Sequence, residues 1–159
     1  MKLRKTGFAA GFLSIILAFI AGVPFSFSNE TANSILNFSI LIINNVEYFS
    51  WGYISNNIGY TSLGFNSIEN LIEISIWLLF ALPGLFGIMA SSPKSIPEHS
   101  KKLFKLNVLF IFLILFIYTL NWILIIFTSS SSAFFGFGYY FLYIILVLNI
   151  ISIKILKKS

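Results

Sequence analysis

Glu69 and Glu73 are the only two carboxylates in this chain spaced to act together. Four residues apart, they stand one turn apart on a helix. Glu69 lies between Ile68 and Asn70, and Glu73, one turn deeper, lies between Ile72 and Ile74. A carboxylate near a helix N-terminus is favoured by the macrodipole alone. An ionisable group inside an apolar run is also a candidate for ion or proton handling. Asn121 and Asn149 are further polar residues inside apolar runs, suited to hydrogen bonds between helices, and Tyr118 and Thr119 can join them. His99 is the single histidine and cysteine is absent, so no thiolate site, disulfide or cluster of metal ligands is expected. A phosphate-binding glycine loop, a zinc-protease motif and a nucleophile with a neighbouring base are all missing. The apolar runs contain no histidine for haem or quinone. The expectation is a protein that is not an enzyme and needs no cofactor and no metal.

Three other groups of residues suit binding or assembly. Tyr48, Phe49, Trp51 and Tyr53 crowd an otherwise polar stretch and are candidates for meeting a partner. Gly7, Gly11, Ser14, Ala18 and Gly22 recur at intervals of four, three, four and four, which sets small residues along one face of a helix. Such a face lets helix backbones approach closely, either within the molecule or against a second subunit. Ala81, Gly84, Gly87 and Ser91 offer a similar seam for it. Asn29 and Asn37 each begin an Asn-x-Ser/Thr sequon and are candidates for glycosylation.

These residues must be positioned by elements suited to lipid. Of 159 residues 58% are hydrophobic and only 9% charged. The mean hydropathy is +0.94. A soluble domain carries about a quarter charged residues. Four apolar segments, 7–27, 69–91, 103–127 and 134–156, reach the roughly 20 residues that a helix needs to cross a bilayer. The first reads as a retained helix rather than a signal peptide, because it is too long and ends without a small-x-small cleavage site. Pro83-Gly84 predicts a kink in the second.

Threaded four times, the chain keeps all ten lysines and arginines on one side, at 2–5, 94–105 and 154–158. That side is the cytoplasmic one, so both termini are expected inside a cell membrane. The net charge of +5 sits in short clusters beside apolar spans, which suits lipid headgroups rather than nucleic acid. The outer loop, 28–68, has no basic residue at all. Within it, 36–43 alternates in hydropathy, Asn44-Asn45 suits a tight hairpin, and 46–54 is rich in β-formers. Ser55-Asn56-Asn57 is a second turn signal before a short strand at 58–63. The expected fold is an all-α membrane protein: a four-helix transmembrane bundle with a small extracellular antiparallel sheet between its first two helices. The outer connection at 129–132 reads as a tight turn.

This order of parts resembles the claudin-like four-span family. The Pro24-Phe25 exit from the first helix, Trp51-Gly52 in the loop and Asn66-Ser67-Ile68-Glu69-Asn70 entering the second helix occupy comparable places. The family's loop signature also holds a Gly-Leu-Trp run and two cysteines. This chain keeps Trp51-Gly52 and has neither cysteine. The resemblance implies a sheet-capped bundle with an adhesion or membrane-organising role. The expected partners are membrane lipids and other membrane proteins or a second copy. Two alternatives remain open: an accessory subunit of a larger membrane complex, and a component of an ion or proton pathway.

Overall fold

The computed structural model describes residues 4–28, 31–34, 36–55, 59–62, 68–128 and 131–158. It is mostly helical. Helix α1 covers Lys5–Ile15 and continues as a π-helical turn over Ile16–Ile20; α2 is Ile68–Ser91, α3 Pro97–Thr128 and α4 Phe137–Lys158. Each helix packs against two others, so that α1, α2, α3 and α4 close into a ring. Three of them, within 74–91, 97–128 and 137–156, are long and apolar enough to cross a membrane.

The first helix is shorter than its apolar run suggests. The helical stretch Lys5–Ile20 spans roughly 24 Å at 1.5 Å per residue, short of a hydrocarbon core of about 30 Å. The expected helix over 7–27 stops early for a local reason. Gly22 adopts a φ of 76°, and Pro24 follows two residues later, a combination that ends helices. Residues 24–28 then form a strand. Helix α2, in contrast, runs through Pro83 to Ser91.

Close approach of α1 and α2 depends on the small-residue seam. A Cβ added at Gly87 would lie 2.7 Å from the Cα of Gly11, and one added at Gly11 would lie 2.8 Å from the Gly84 carbonyl oxygen. Only hydrogen fits at that crossing. The seam residues Gly7, Gly11, Ser14 and Ala18 are all buried. Packing within the molecule therefore occupies the face that could have met another subunit.

Among the described residues, one end of the fold holds two antiparallel sheets. Strands β1 (Pro24–Ser28) and β2 (Thr31–Ser34) pair as a hairpin. A second sheet runs in the order β6-β5-β4-β3-β7, with β3 at Leu41–Ile43, β4 at Val46–Tyr48, β5 at Gly52–Ser55, β6 at Gly59–Ser62 and β7 at Ala133–Phe135. Asn44 and Asn45, at φ 48° and 67°, make the expected tight turn between β3 and β4. The long strand expected over 46–54 is instead two, because the chain turns at 49–51. The sheet is also not confined to the connection between α1 and α2. Strand β7, from the connection between α3 and α4, pairs along β3 with Ile42 opposite Phe134. Asn44 ties the two connections together: its Nδ2 donates to Ser131 Oγ at 3.0 Å, and its Oδ1 accepts from the Ser132 N–H at 3.1 Å.

Packing inside the ring mixes apolar and polar groups. Phe80, Phe104, Ile111, Ile114, Leu142 and Ile145 are fully buried beside Asn107, Asn149, Ser91 and Ser100. Outward, Phe12, Leu85, Met89, Leu109, Phe112, Phe116, Phe127 and Val147 are all more than half or nearly half exposed. Large apolar side chains thus cover the flanks of all four helices while amides and hydroxyls lie within.

Candidate functional site: a cavity between the sheet and two helices

The short first helix ends beneath the sheet, and its last carbonyls need donors. They come from side chains of the aromatic stretch and of α2. Ser50 Oγ donates to the Leu17 carbonyl at 2.7 Å and to that of Ala18 at 3.3 Å. Trp51 Nε1 donates to the Ala21 carbonyl at 2.5 Å, and Trp77 Nε1 to that of Ala18 at 2.9 Å. Phe49 lies against Gly22 where a Cβ would sit, and stacks on Trp51 with ring centroids 5.5 Å apart. At the other side of the sheet, Trp122 Nε1 donates to the Ala133 carbonyl at 2.9 Å and fixes β7 to α3.

The expected partner-binding quartet is therefore divided. Phe49 and Trp51 are 4% and 8% exposed and belong to the core, so neither presents a surface to a partner. Register explains where the other two go. Leu41, Tyr48 and Tyr53 stand opposite one another across β3, β4 and β5. Ile42, Glu47 and Ile54 form the neighbouring row, and Phe134 extends it on β7. Successive strand residues alternate between faces. The row of Tyr48 and Tyr53 covers the helices; in the other row Phe134 is exposed and Ile42 and Glu47 are half-buried, while Ile54 at its far end is buried. The aromatic residues were legible as β-formers, but composition does not say which face of a strand turns inward.

Beneath the inward face lies a cavity of about 250 Å³. Leu41, Ile43, Tyr48 and Tyr53 roof it, Ile76 of α2 forms one wall, and Ile117, Tyr118, Asn121 and Ile125 of α3 form the other. Tyr48 and Tyr53 lie with ring centroids 5.6 Å apart. Burial pushes the Tyr48 phenol up from its ordinary value of 10.0, and Tyr53 beside it adds to the rise. A phenol held neutral in an apolar site is a hydrogen-bond donor and acceptor without charge. Among the described residues the lining has no acidic, basic or thiol group, and its chemistry there suits recognition of a neutral, largely apolar molecule.

The other sequence candidates are dispersed. Asn121 lines the cavity and is exposed. Asn149 is buried far along α4, and its partner is Asn107, which donates from Nδ2 to Asn149 Oδ1 at 3.3 Å and to the Pro83 carbonyl at 3.1 Å. Asn107 Oδ1 is buried without a hydrogen-bond partner among the described residues. Asn149 thus makes the expected bond between helices, with Asn107 of α3 as its partner. Asn107 was the missing member, hidden because one more asparagine beside basic residues reads as the polar end of a helix. Thr119 Oγ1 lies 2.6 Å from Tyr139 Oη and joins α3 to α4. The side chains of Glu69 and Glu73 lie outside the described residues, as does Asn29. Asn37 is exposed and donates to Glu47 Oε1 at 3.1 Å, while Ser39 of its sequon is buried.

At the opposite end, Arg4 has more to do than carry charge. Its Nη1 donates to Ser100 Oγ and to the Ala90 carbonyl, both at 2.6 Å, and its Nη2 to the Ser95 carbonyl at 3.1 Å. A cation at the C-terminal carbonyls of α2 is favoured by the helix dipole. His99 is exposed on the first turn of α3.

Together these features define a class of protein: a mostly helical molecule whose described residues include three helices long and apolar enough to cross a membrane, a small antiparallel sheet over one end, and a cavity between them lined by uncharged described residues. Comparison with family models, curated proteins and solved structures finds no match to this chain.

Proposed function

We propose that this protein is a non-catalytic, four-pass membrane protein of the cell membrane whose outer sheet meets another protein. The observation that carries the reading is the sheet itself, built from two separate connections and fastened to the helix ends. Strands β3–β6 come from one connection and β7 from the other. Ser50 and Trp51, between β4 and β5, hold them to the end of α1, and Trp122 holds β7 to α3 with side-chain hydrogen bonds. A rigid surface loses little entropy on binding. Support for the membrane comes from the exposed apolar flanks, since a helix that is apolar on every side belongs in a large core or in lipid.

In this reading both termini and all ten basic residues lie on the cytoplasmic side, and the sheet lies outside. Helix α1, shorter than the hydrocarbon core, is completed on the outer side by the sheet seated on its end. The recognition surface is the outward row of Ile42, Glu47 and Phe134, of which Phe134 is 64% exposed. This replaces the inward-facing aromatic residues as the place to look. A claudin-like membrane-organising role fits the same layout.

The chain has no cysteine, so single cysteines test both parts directly. Ser132→Cys is expected to react with a membrane-impermeant maleimide on intact cells, and His99→Cys only after permeabilisation. The reverse pattern removes the proposed orientation. A photo-crosslinking residue at position 42 or 134 is expected to capture a discrete protein adduct. Capture at these positions no greater than at the flank residue Phe112 removes the proposed surface.

A further inference from the structure

Asn121 poses a problem that the described residues leave unsolved. It lies within α3, whose spanning window has a mean hydropathy of 2.7, and its side chain is exposed. No residue among those described hydrogen-bonds to it. An unmatched primary amide is costly against hydrocarbon, where neither lipid tail nor water satisfies it. Tyr48 and Tyr53 likewise have no hydrogen-bond partner for their hydroxyls among the described residues. All three line the same cavity beneath the sheet.

The rest of the lining sets what can answer them. Ile76, Ile117 and Ile125 supply apolar wall, and no described lining residue carries a charge. The ten basic side chains all belong to 2–5, 94–105 and 154–158, and none lies within the roof or wall segments. A phosphate or carboxylate would enter without a countercharge and lose its hydration. A hydroxyl or ester carbonyl would meet both donors and acceptors, because an amide and a phenol offer each. The volume of about 250 Å³ is smaller than the pockets that enclose whole drug-sized ligands, and larger than cavities that hold a benzene ring. It suits a headgroup with its first few carbons. The cavity wall on α3 is open at Asn121 and only partly covered at Ile117 and Ile125. A hydrocarbon tail has an exit along that flank.

We propose that this cavity binds the head end of a neutral lipid, whose hydroxyl or ester carbonyl hydrogen-bonds with Asn121, Tyr48 and Tyr53 while its first carbons lie against Ile76, Ile117 and Ile125. The site rests on the membrane placement proposed above and is independent of any partner at the outward sheet face.

The test uses the full chain in phosphatidylcholine vesicles with a diazirine-bearing diacylglycerol as photoprobe. Adducts are expected in the peptides covering 41–53 and 117–125. Excess unlabelled dioleoylglycerol should abolish them, and the same amount of dioleoylphosphatidic acid should not. Asn121→Leu, at an exposed position that leaves the packing intact, should lower the yield at least fivefold. Ile76→Trp, which fills the cavity, should do the same with unchanged helical circular dichroism. Adducts spread evenly along the exposed flank of α3 in vesicle-bound protein overturn the site and leave the membrane placement standing. Equal competition by phosphatidic acid, or yields unaltered in both variants, overturns it as well. A chain that fails to sediment with the vesicles removes the membrane placement and the lipid site together.

Discussion

Replacing Trp51 by Phe separates the two roles that its position allows. The substitution keeps an aromatic ring against Phe49 and removes the indole N–H from the Ala21 carbonyl. That oxygen is at the end of the first helix, where backbone acceptors have no intrahelical donor. Leaving a buried acceptor unmatched costs about 1–3 kcal/mol. Loss of part of the indole adds a packing term, so a destabilisation of about 2–3 kcal/mol is expected. Trp77→Phe should cost less, because the Ala18 carbonyl it releases still accepts from Ser50 Oγ at 3.3 Å. The order Trp51→Phe worse than Trp77→Phe therefore follows from which carbonyl retains a donor. Unfolding in mixed detergent micelles, followed by circular dichroism on the purified protein with no partner present, measures both. If Trp51→Phe leaves stability within about 0.3 kcal/mol of the unaltered protein, or if the order is reversed, the indole is not an anchor. The idea that the sheet is fastened through α1 then falls.

Gly87→Ala forces a Cβ to within 2.7 Å of the Gly11 backbone and should cost about 1–3 kcal/mol, whereas Met89→Ala, two residues along at a 60% exposed position, should cost little; the same unfolding assay compares them. Asn107→Leu and Asn149→Leu should each destabilise by no more than about 1–2 kcal/mol, and the double variant by less than their sum, because together they remove both members of one hydrogen bond as well as the unmatched Asn107 Oδ1; a double-mutant cycle checks this. Tyr48 should ionise above 10.0 in the folded protein, so its contribution to stability is complete below that pH and is lost as pH rises through the folded-state value; absorbance of the phenolate, with Tyr48→Phe for assignment, reads the shift.

The legible parts of the fold were those fixed by local chemistry. Long apolar runs placed α2, α3 and α4 to within a few residues, except where α3 begins earlier among polar residues at Pro97. Two asparagines with no Cβ branching marked the β3–β4 turn. The end of α1 was signalled by Gly22 and Pro24, but the apolar residues after them mimic a continuing span. Strand β7 carries no signal of its own, since Ala133-Phe134-Phe135 becomes a strand only by pairing with β3, ninety residues earlier in the chain. The same holds for the cavity. Tyr48, Tyr53 and Asn121 were each visible as residue types, but only the strand register turns the tyrosines toward α3. Non-local pairing and facing are decided by tertiary packing, which period and composition do not encode.

The length of α1 accounts for why a cavity exists at all. Its helical run ends at Ile20, and the sheet is drawn onto that end by Ser50 and Trp51. Helix α3 is 32 residues long, roughly 48 Å, and continues to Thr128 alongside the sheet. A sheet anchored on the short helix covers α3 through β7, where Trp122 holds Ala133, but leaves the flank at 117–125 facing the underside of β3–β5. Tyr48 and Tyr53 extend into that gap and narrow it without closing it. Lengthening α1, by replacing Gly22 and Pro24 with alanine, would lift the sheet from its anchors and remove the cavity rather than enlarge it. The lipid site and the rigidity of the outer surface therefore share one structural cause. A variant that keeps the sheet ordered while extending α1 would separate them and disprove the connection.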